Sequence, residues 1–260
     1  MEITKSLSIT RLANLDYACT EALNTLCTNL SFAGNAVKKI MLTSCQPMEG
    51  KSFISINLLR ALAALGKKVV LVDADLRRSV AESRYGIVIK DDKKGLSHYL
   101  AGMCDMEDVI YQTNIDGAYM VIEGRGVSNS LPLLSTPMLS HLLDTLAQSF
   151  DIVLVDVPPV GIIIDAAMVA RSCDGALFIV SDSIISRREL REAKQQIEKA
   201  GCMILGAVLN KVSFSTHGSK KYYYKTYYTH YTNSDYDTKS SKRKARTQSS
   251  GNRRSAGDDD

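Results

Sequence analysis

Six apolar runs rich in valine, isoleucine and leucine are the feature that most limits how this chain can fold. Strands that are apolar throughout, without polar alternation, are buried on both faces, and such strands form parallel sheets covered by helices. The runs are KKIMLTS (38–44), KVVLVDAD (68–75), AYMVIEG (118–124), DIVLVDVPP (151–159), GALFIVSD (175–182) and ILGAVLNKV (204–212). The sequence therefore predicts an α/β fold with a doubly wound, mostly parallel sheet over residues 37–214.

Between these runs, apolar residues recur at helical spacing. This spacing predicts helices at 51–65, 131–149 and 186–200, and short helices at 165–172, in GLSHYLAG (95–102) and in MEDVIY (106–111). Residues 1–36 precede the first run. They contain YACTEALNTLCTNLSF, in which Leu23, Leu26 and Leu30 share one helical face. We therefore predict a helical N-terminal segment before the α/β domain.

Residues 215–260 differ from the rest of the chain in composition. Ten Lys/Arg against five Asp/Glu give this segment a formal charge of +5, which leaves −1 for the remainder of a chain whose total is +4. Serine, threonine, lysine, arginine, asparagine and aspartate together dominate, so the segment cannot bury enough apolar surface to offset its ordering entropy. We expect it to be disordered. The globular part has no basic bias, so we expect no nucleic-acid partner.

The chain contains no run of 18 or more apolar residues, and its first 30 residues lack the apolar centre of a signal peptide. We therefore expect a cytoplasmic protein. The six cysteines form no CxxC pair and no metal-like grouping with the four histidines. They are interpreted as thiols of a reducing compartment.

The segment TSCQPMEGKS (43–52) follows the first apolar run and opens a predicted helix. Its end, Gly50-Lys51-Ser52, is the second half of a phosphate-binding P-loop, in which backbone N–H groups hold phosphate oxygens, the lysine reaches the β- and γ-phosphates and the hydroxyl binds Mg²⁺. Cys45 stands where the first glycine of that motif is expected. The alternative is an ordinary surface turn. We assign the nucleotide site to Glu49, Gly50, Lys51, Ser52 and Phe53.

Acidic side chains end two other apolar runs, namely Asp73 with Asp75 and Asp156. Ligands of open α/β sheets bind beyond the carboxyl ends of the strands, where carboxylates can hold Mg²⁺ directly or through water. Each aspartate taken alone could instead cap a helix or lie in a solvated loop. Together with the GKS loop, they predict a nucleotide site that uses Mg²⁺.

Three motifs, PMEGKS, VLVDADLRRS and IVLVDVPP, together resemble the bacterial protein-tyrosine kinases of capsule and exopolysaccharide biosynthesis, in their split cytoplasmic form. The resemblance implies an ATP- and Mg²⁺-dependent autokinase. Lys51 and Ser52 would bind phosphate and Mg²⁺, and Asp156 would be the Walker B aspartate. Asp73 would assist the metal and accept the tyrosine proton, with Asp75 in support.

Further roles follow from the same resemblance. Arg77 and Arg78 match the family's basic pair, although a solvated charge pair fits equally well. Asn210 could face the adenine, although a strand-end turn is an equal alternative. Seven of the twelve tyrosines lie in YYYKTYYTHYTNSDY, near the C-terminus. The implied phosphoacceptors are Tyr222, Tyr223, Tyr224, Tyr227, Tyr228, Tyr231 and Tyr236.

The implied partners are a separate membrane activator, of the polysaccharide co-polymerase type, that recruits the kinase to the membrane, and a cognate tyrosine phosphatase. The family's N-terminal segment, similar to EAYRxLRTN, pairs a glutamate with arginines between subunits of a ring. Here it is EALNTLCTN, so Glu21 remains but Asn24 and Cys27 replace the arginines. Neither can form a bidentate pair with a carboxylate. The helix is therefore a degenerate oligomerisation segment.

Two other functions remain open. A partition- or septum-positioning ATPase of the ParA/MinD type shares the motifs, but it usually carries a second lysine in a KGGxGKT pattern, and none lies between Ser44 and Gly50 here. A non-catalytic nucleotide-binding interaction protein is the other alternative. The degenerate N-terminal helix favours it, and the intact Lys51, Ser52, Asp73 and Asp156 oppose it.

Overall fold

The fold is described from a computed structural model, which covers residues 3–34, 36–77, 81–90, 92–182 and 185–212. Residues as far as Lys211 form one compact unit. No helix within these ranges is long and apolar enough to cross a bilayer. Arg78 and the segment with the seven tyrosines lie outside the described residues. The predicted division of the chain at residues 36 and 214 stays a prediction.

The described residues contain nine strands and eight α-helices. The strands are β1 (Leu7–Ile9), β2 (Lys39–Ser44), β3 (Val69–Asp73), β4 (Ile87–Ile89), β5 (Ile110–Gln112), β6 (Ala118–Val121), β7 (Ile152–Asp156), β8 (Gly175–Ser181) and β9 (Met203–Asn210). The helices are α1 (Tyr17–Ser31), α2 (Lys51–Ala64), α3 (Ala81–Tyr85), α4 (Leu96–Leu100), α5 (Leu131–Leu134), α6 (Pro137–Ser149), α7 (Asp165–Ala170) and α8 (Arg187–Lys199). Each predicted apolar run therefore contains one strand.

Seven of the strands form one sheet in the order β5-β6-β3-β7-β2-β8-β9. All neighbours are parallel except β5 and β6. Successive side chains of the central strands enter two different apolar clusters, one on each face. Val70 and Val153 contact the cluster that includes α6, α7 and α8, whereas Val69 and Leu154 contact the cluster that includes α1 and α2. This arrangement confirms the predicted doubly wound α/β fold.

The helix boundaries follow local chemistry. Ser186 caps α8 in a capping box with Glu189, and Asp16 caps α1 by accepting a hydrogen bond from the Cys19 N–H. Pro137 occupies the first turn of α6, where its missing N–H has no consequence. The predicted helices at 17–32 and 186–200 agree with α1 and α8 to within a few residues. The single helix predicted at 131–149 is wrong: the chain forms α5 and α6 there, because Thr136 before Pro137 has an extended backbone that separates them.

Two regions differ from the sequence-based prediction. MEDVIY is not a helix: a short 3₁₀ turn (Glu107–Val109) leads into β5, which pairs with β6 at the sheet edge. The N-terminal segment contributes a strand as well as a helix, because β1 pairs with β4 in a small antiparallel sheet. Leu7 and Ile9 are buried in the cluster that includes α1 and α2. The N-terminal residues thus pack against the α/β core.

Candidate active site

The loop between β2 and α2 adopts two left-handed residues in close succession, Met48 (φ 64°) and Gly50 (φ 93°). A Cβ on Gly50 would lie 2.1 Å from Nδ2 of Asn210, so both the backbone angle and the available space require glycine there. Gly50 is also the N-cap of α2 and has no side chain with which to cap it. The first N–H groups of α2 are therefore left for an anionic ligand.

The Glu49 side chain stabilises this loop by hydrogen bonds to backbone N–H groups. Its carboxylate is buried and accepts hydrogen bonds from the Gln46 N–H at 2.7 Å and from the Ser181 N–H at 2.9 Å. These bonds connect the loop to the carboxyl end of β8. The structure thus places the predicted nucleotide residue Glu49 with its carboxylate committed to the backbone, where it fixes the shape of the loop.

Cys45 takes the position of the missing glycine without strain, because its backbone is not left-handed. Its thiol is buried, and burial, with a contribution from the Glu49 charge, raises its pKa to about 12. The close contact at this point is made by Gly161, in the loop after β7, where a Cβ would lie 2.4 Å from the Cys45 carbonyl oxygen. The tight backbone contact at residue 45 therefore requires a glycine at position 161, on the other side of the contact.

Lys51, Asp73 and Asp156 meet at the carboxyl edge of the sheet. Nζ of Lys51 lies 2.7 Å from Oδ1 of Asp156, and both side chains are buried. Asp73 is the cross-strand partner of Asp156 in the parallel register of β3 and β7. The Ala74 N–H donates to the Asp156 carbonyl at 2.9 Å, which fixes the two strand ends to each other. Three residues predicted from separate motifs thus form one cluster.

One ammonium faces three carboxylates in this cluster. Burial lowers the pKa of the Lys51 ammonium, but the carboxylates of Asp156, Asp73 and Asp75 outweigh it, so its pKa lies above the ordinary value. Lys51 is therefore protonated at neutral pH. Asp75 is half-buried, and its backbone N–H donates to Oδ1 of Asp73 at 3.1 Å, which orients the Asp73 carboxylate.

The residues present fit a magnesium ion bound together with phosphate. Ser52 is half-buried in the first turn of α2, and Asp73 and Asp156 add carboxylate oxygens on adjacent strands. No group of three or more His, Cys, Asp or Glu in the described chain could hold a metal by itself. Mg²⁺ keeps several waters and uses few protein ligands, so two carboxylates and a hydroxyl would suffice to hold it.

Two predicted nucleotide residues have contacts of a different kind. Phe53 packs against the apolar cluster on the α1–α2 face of the sheet. Asn210, at the end of β9, donates from Nδ2 to the Glu49 carbonyl at 2.8 Å. The structure therefore places Asn210 against the loop backbone.

Arg77 forms an ion pair that the sequence did not reveal. Its Nε lies 2.9 Å from Oδ2 of Asp165 and 2.8 Å from Oγ of Ser130, and its Nη2 lies 3.3 Å from Oδ1 of Asp165. Ser130 and Asp165 are fully buried and hydrogen-bonded to each other. Arg77 thus connects the loop after β3 to the first turn of α7. Asp165 resembled an ordinary helix-start acid, and no local signal identified Ser130.

The chain is similar to known proteins over most of its length. Residues 37–199 match the family described as "AAA domain". The tyrosine-protein kinase CpsD of Streptococcus pneumoniae is 35% identical over 195 residues, which are 75% of this chain and 85% of that protein.

Two solved structures are similar to this chain in fold and in sequence. The kinase domain of the Escherichia coli tyrosine kinase ETK has a TM-score of 0.71 and 30% identity, covering 84% of this chain and 86% of that one. The septum site-determining protein MinD from Pyrococcus horikoshii, complexed with Mg-ADP, has a TM-score of 0.58 and 27% identity, covering 69% and 72%. Both confirm the nucleotide-binding α/β fold, and the kinase is more similar by each measure. The chain belongs to the bacterial protein-tyrosine kinase family, as its motifs predicted.

Proposed function

We propose that this chain transfers the γ-phosphoryl group of ATP to tyrosines of its own C-terminal segment, and that this modification regulates capsule or exopolysaccharide synthesis and export. The observation that carries the proposal is the buried cluster of Lys51, Asp73 and Asp156 beside the uncapped start of α2. The family relationship supports the chemistry, and seven tyrosines within Tyr222–Tyr236 supply acceptors in the same chain.

Phosphoryl transfer depends mainly on positioning and on neutralising charge, and Lys51, together with the Mg²⁺ that this cluster would hold, would supply both. Lys51 would exchange its contact with Asp156 for the β- and γ-phosphate oxygens. That exchange would free Asp156, with Ser52, to hold Mg²⁺, which neutralises charge on the transferred group. Asp73 would then accept the proton of the incoming tyrosine, whose ordinary pKa is about 10. Asp75 keeps the Asp73 carboxylate oriented during this transfer.

Phosphorylation would also change the charge of the segment that carries the acceptors. Each phosphotyrosine adds about −1.5 to −2 at pH 7, so roughly three would cancel the formal charge of +5 on residues 215–260. A change of this size would weaken any association with an acidic surface. It supplies a physical reason why several acceptors lie close together.

The proposal includes two partners. A separate membrane activator would recruit the kinase, as in the split systems that this sequence resembles, and a tyrosine phosphatase would reverse the modification. Subunits would assemble through contacts other than the Glu–Arg pairing of the family. Nδ2 of Asn24 donates a hydrogen bond to Oε1 of Glu21 within the same helix, at 3.2 Å, and Cys27 is buried.

Phosphosite mass spectrometry tests the proposal. The purified full chain would be incubated with ATP and Mg²⁺, with and without a cytoplasmic fragment of a candidate activator. Phosphates on Tyr222–Tyr236 should appear in the wild type and be absent from Lys51→Met. Asp73→Asn should reduce labelling about 100-fold or more, within the range of a lost catalytic base. Matched controls are Lys67→Met, at the opposite end of α2, and Asp116→Asn, in an exposed turn.

The same experiment separates the alternatives. ATP turnover without tyrosine modification, even with the activator, would identify a switch ATPase, the function that the likeness to MinD favours. Nucleotide binding with neither turnover nor labelling would identify a non-catalytic interaction protein. Labelling of Asp73→Asn at the wild-type rate would contradict the role given to Asp73.

A further inference from the structure

Two non-glycine residues in the described part of the chain have a left-handed backbone, and they contact each other. They are Met48 in the phosphate loop (φ 64°) and Lys211 directly after β9 (φ 56°). The Lys211 ammonium donates a hydrogen bond to the Met48 carbonyl oxygen. The preceding residue, Asn210, donates to the next carbonyl of the loop, that of Glu49, at 2.8 Å. Two neighbouring side chains thus hold two consecutive carbonyls.

The geometry of the peptide bond gives these contacts a consequence. Because the peptide group is planar and trans, a C=O and the N–H of the following residue point in opposite directions. Fixing the Met48 and Glu49 carbonyls toward β9 therefore turns the N–H groups of Glu49 and Gly50 away from β9. Backbone N–H groups of such a loop are the donors that hold phosphate oxygens.

We infer that Asn210 and Lys211 are positioning residues that orient the Glu49 and Gly50 N–H groups toward the nucleotide phosphates. The inference rests on the proposed function, because it concerns the same nucleotide site. It gives Asn210 a different role from contact with the adenine base. Lys211 is a new assignment, and the sequence alone gave no reason to select it.

Met48 explains why the loop needs such support. A residue with a Cβ disfavours the left-handed conformation, which glycine adopts freely. Met48 must hold this conformation for its carbonyl to face Lys211, and the side chain itself is 83% exposed, so packing contributes little. A charge-assisted hydrogen bond from Lys211 is the contact that offsets the unfavourable backbone. Lys211 and Met48 should therefore be energetically coupled.

A double-mutant cycle on Mg·ADP affinity tests this coupling in the full chain. Lys211→Gly removes the ammonium but keeps access to the left-handed backbone, which alanine would not. We expect it to weaken binding about 3- to 10-fold, the size of one hydrogen bond to a charged group. In a Met48→Gly background, the same change should cost less than about 2-fold, because glycine needs no support. Lys67→Ala, at the far end of α2, is the matched control.

A second comparison tests Asn210. Asn210→Ala should weaken ADP and GDP binding by the same factor, because the two ligands share their phosphates. A loss that alters the ratio of ADP to GDP affinity would place Asn210 on the base and overturn its assignment. Unchanged binding in Lys211→Gly, or an equal loss whether position 48 carries methionine or glycine, would overturn that of Lys211. A wild-type chain that binds no nucleotide would instead refute the proposed function.

Discussion

The carboxyl edge of the sheet and the helix α1 have diverged from the family pattern to different degrees. At the sheet edge, Lys51, Asp73 and Asp156 match the charged residues of the family's motifs, and all three are buried. On α1, two positions where the family places arginine hold Asn24, which is exposed, and Cys27, which is buried. Buried charges constrain one another, because losing one leaves its partner uncompensated. Asn24 lies on the exposed face of α1, where this constraint does not apply, whereas Cys27 is buried among apolar side chains and has no charge to compensate.

The largest effect should come from breaking the buried charge pair. Asp156→Ala removes the carboxylate 2.7 Å from the Lys51 ammonium, and we expect a loss of about 3 kcal/mol in the free energy of unfolding together with loss of labelling. Chemical denaturation measures the first effect and phosphotyrosine quantification the second. The double variant Lys51→Met/Asp156→Leu removes both charges of the pair and should recover part of the stability without activity, because Asp73 then remains buried without the Lys51 cation. Equal destabilisation of the double variant would show that charge is not the cause.

The next largest effect should come from restoring the family's residue at a buried position of α1. Cys27→Arg would place a guanidinium in the apolar cluster formed by α1 and α2, with an expected cost of about 3 kcal/mol. Cys27→Ala should cost only about 1 kcal/mol. Thermal or chemical unfolding provides the comparison. A stable, more strongly assembled Cys27→Arg protein would mean that α1 can rotate this position toward a partner.

A smaller effect is expected at Arg77, which is partly exposed. Arg77→Gln removes the cation from the buried Asp165, whose other hydrogen-bond partner among the described residues is Ser130, and we expect a loss of about 2 kcal/mol. Adding Asp165→Asn should recover part of that loss, because the uncompensated carboxylate is then gone. Both values come from denaturant titrations. If the second change deepens the loss, the ion pair is not what stabilises this contact.

The smallest change in stability is predicted for the exposed face of α1. Asn24→Arg restores one of the family's arginines, which on an isolated chain can also pair with Glu21 at i,i+3 spacing, and it should alter the free energy of unfolding by less than about 0.5 kcal/mol. We expect the molar mass by light scattering, with Mg·ATP present, to remain unchanged, because position 27 is still buried. An increase in mass would show that this one residue limits assembly through α1.

The part of the fold that was predictable from sequence is the part governed by local signals. Apolar runs identified the seven-stranded sheet except for β5, and caps such as Ser186 fixed helix ends. β1 and β4 are short and exist because they pair with each other although they lie far apart in the sequence. Likewise, the last two residues of MEDVIY, Ile110 and Tyr111, pair with β6 although the spacing of the segment suggests a helix, and both are buried there.

The charged residues of the candidate site were predictable because they belong to recognisable motifs. Lys51, Asp73 and Asp156 came from three separate motifs, and the parallel register brings them together. The supporting contacts were not predictable, because each depends on the folded backbone. Lys211 reaches the Met48 carbonyl because both residues have a left-handed backbone. The Glu49 carboxylate accepts a hydrogen bond from the Ser181 N–H, and Arg77 pairs with Asp165, which lies 88 residues later in the sequence.

The pairing of Asp73 with Asp156 also limits how this chain can vary in length. Side chains alternate between the two faces of a sheet, so one residue inserted within β3 or β7 would move one carboxylate to the opposite face. The other ends of these strands are tied as well. The Lys68 N–H donates to the Asp151 carboxylate at 2.8 Å, and the Asp151 N–H donates to the Lys68 carbonyl at 2.9 Å. Insertions and deletions compatible with the site are therefore confined to the loops and helices that connect the strands. The spacing of five residues from Lys68 to Asp73, and from Asp151 to Asp156, cannot change without separating the two carboxylates.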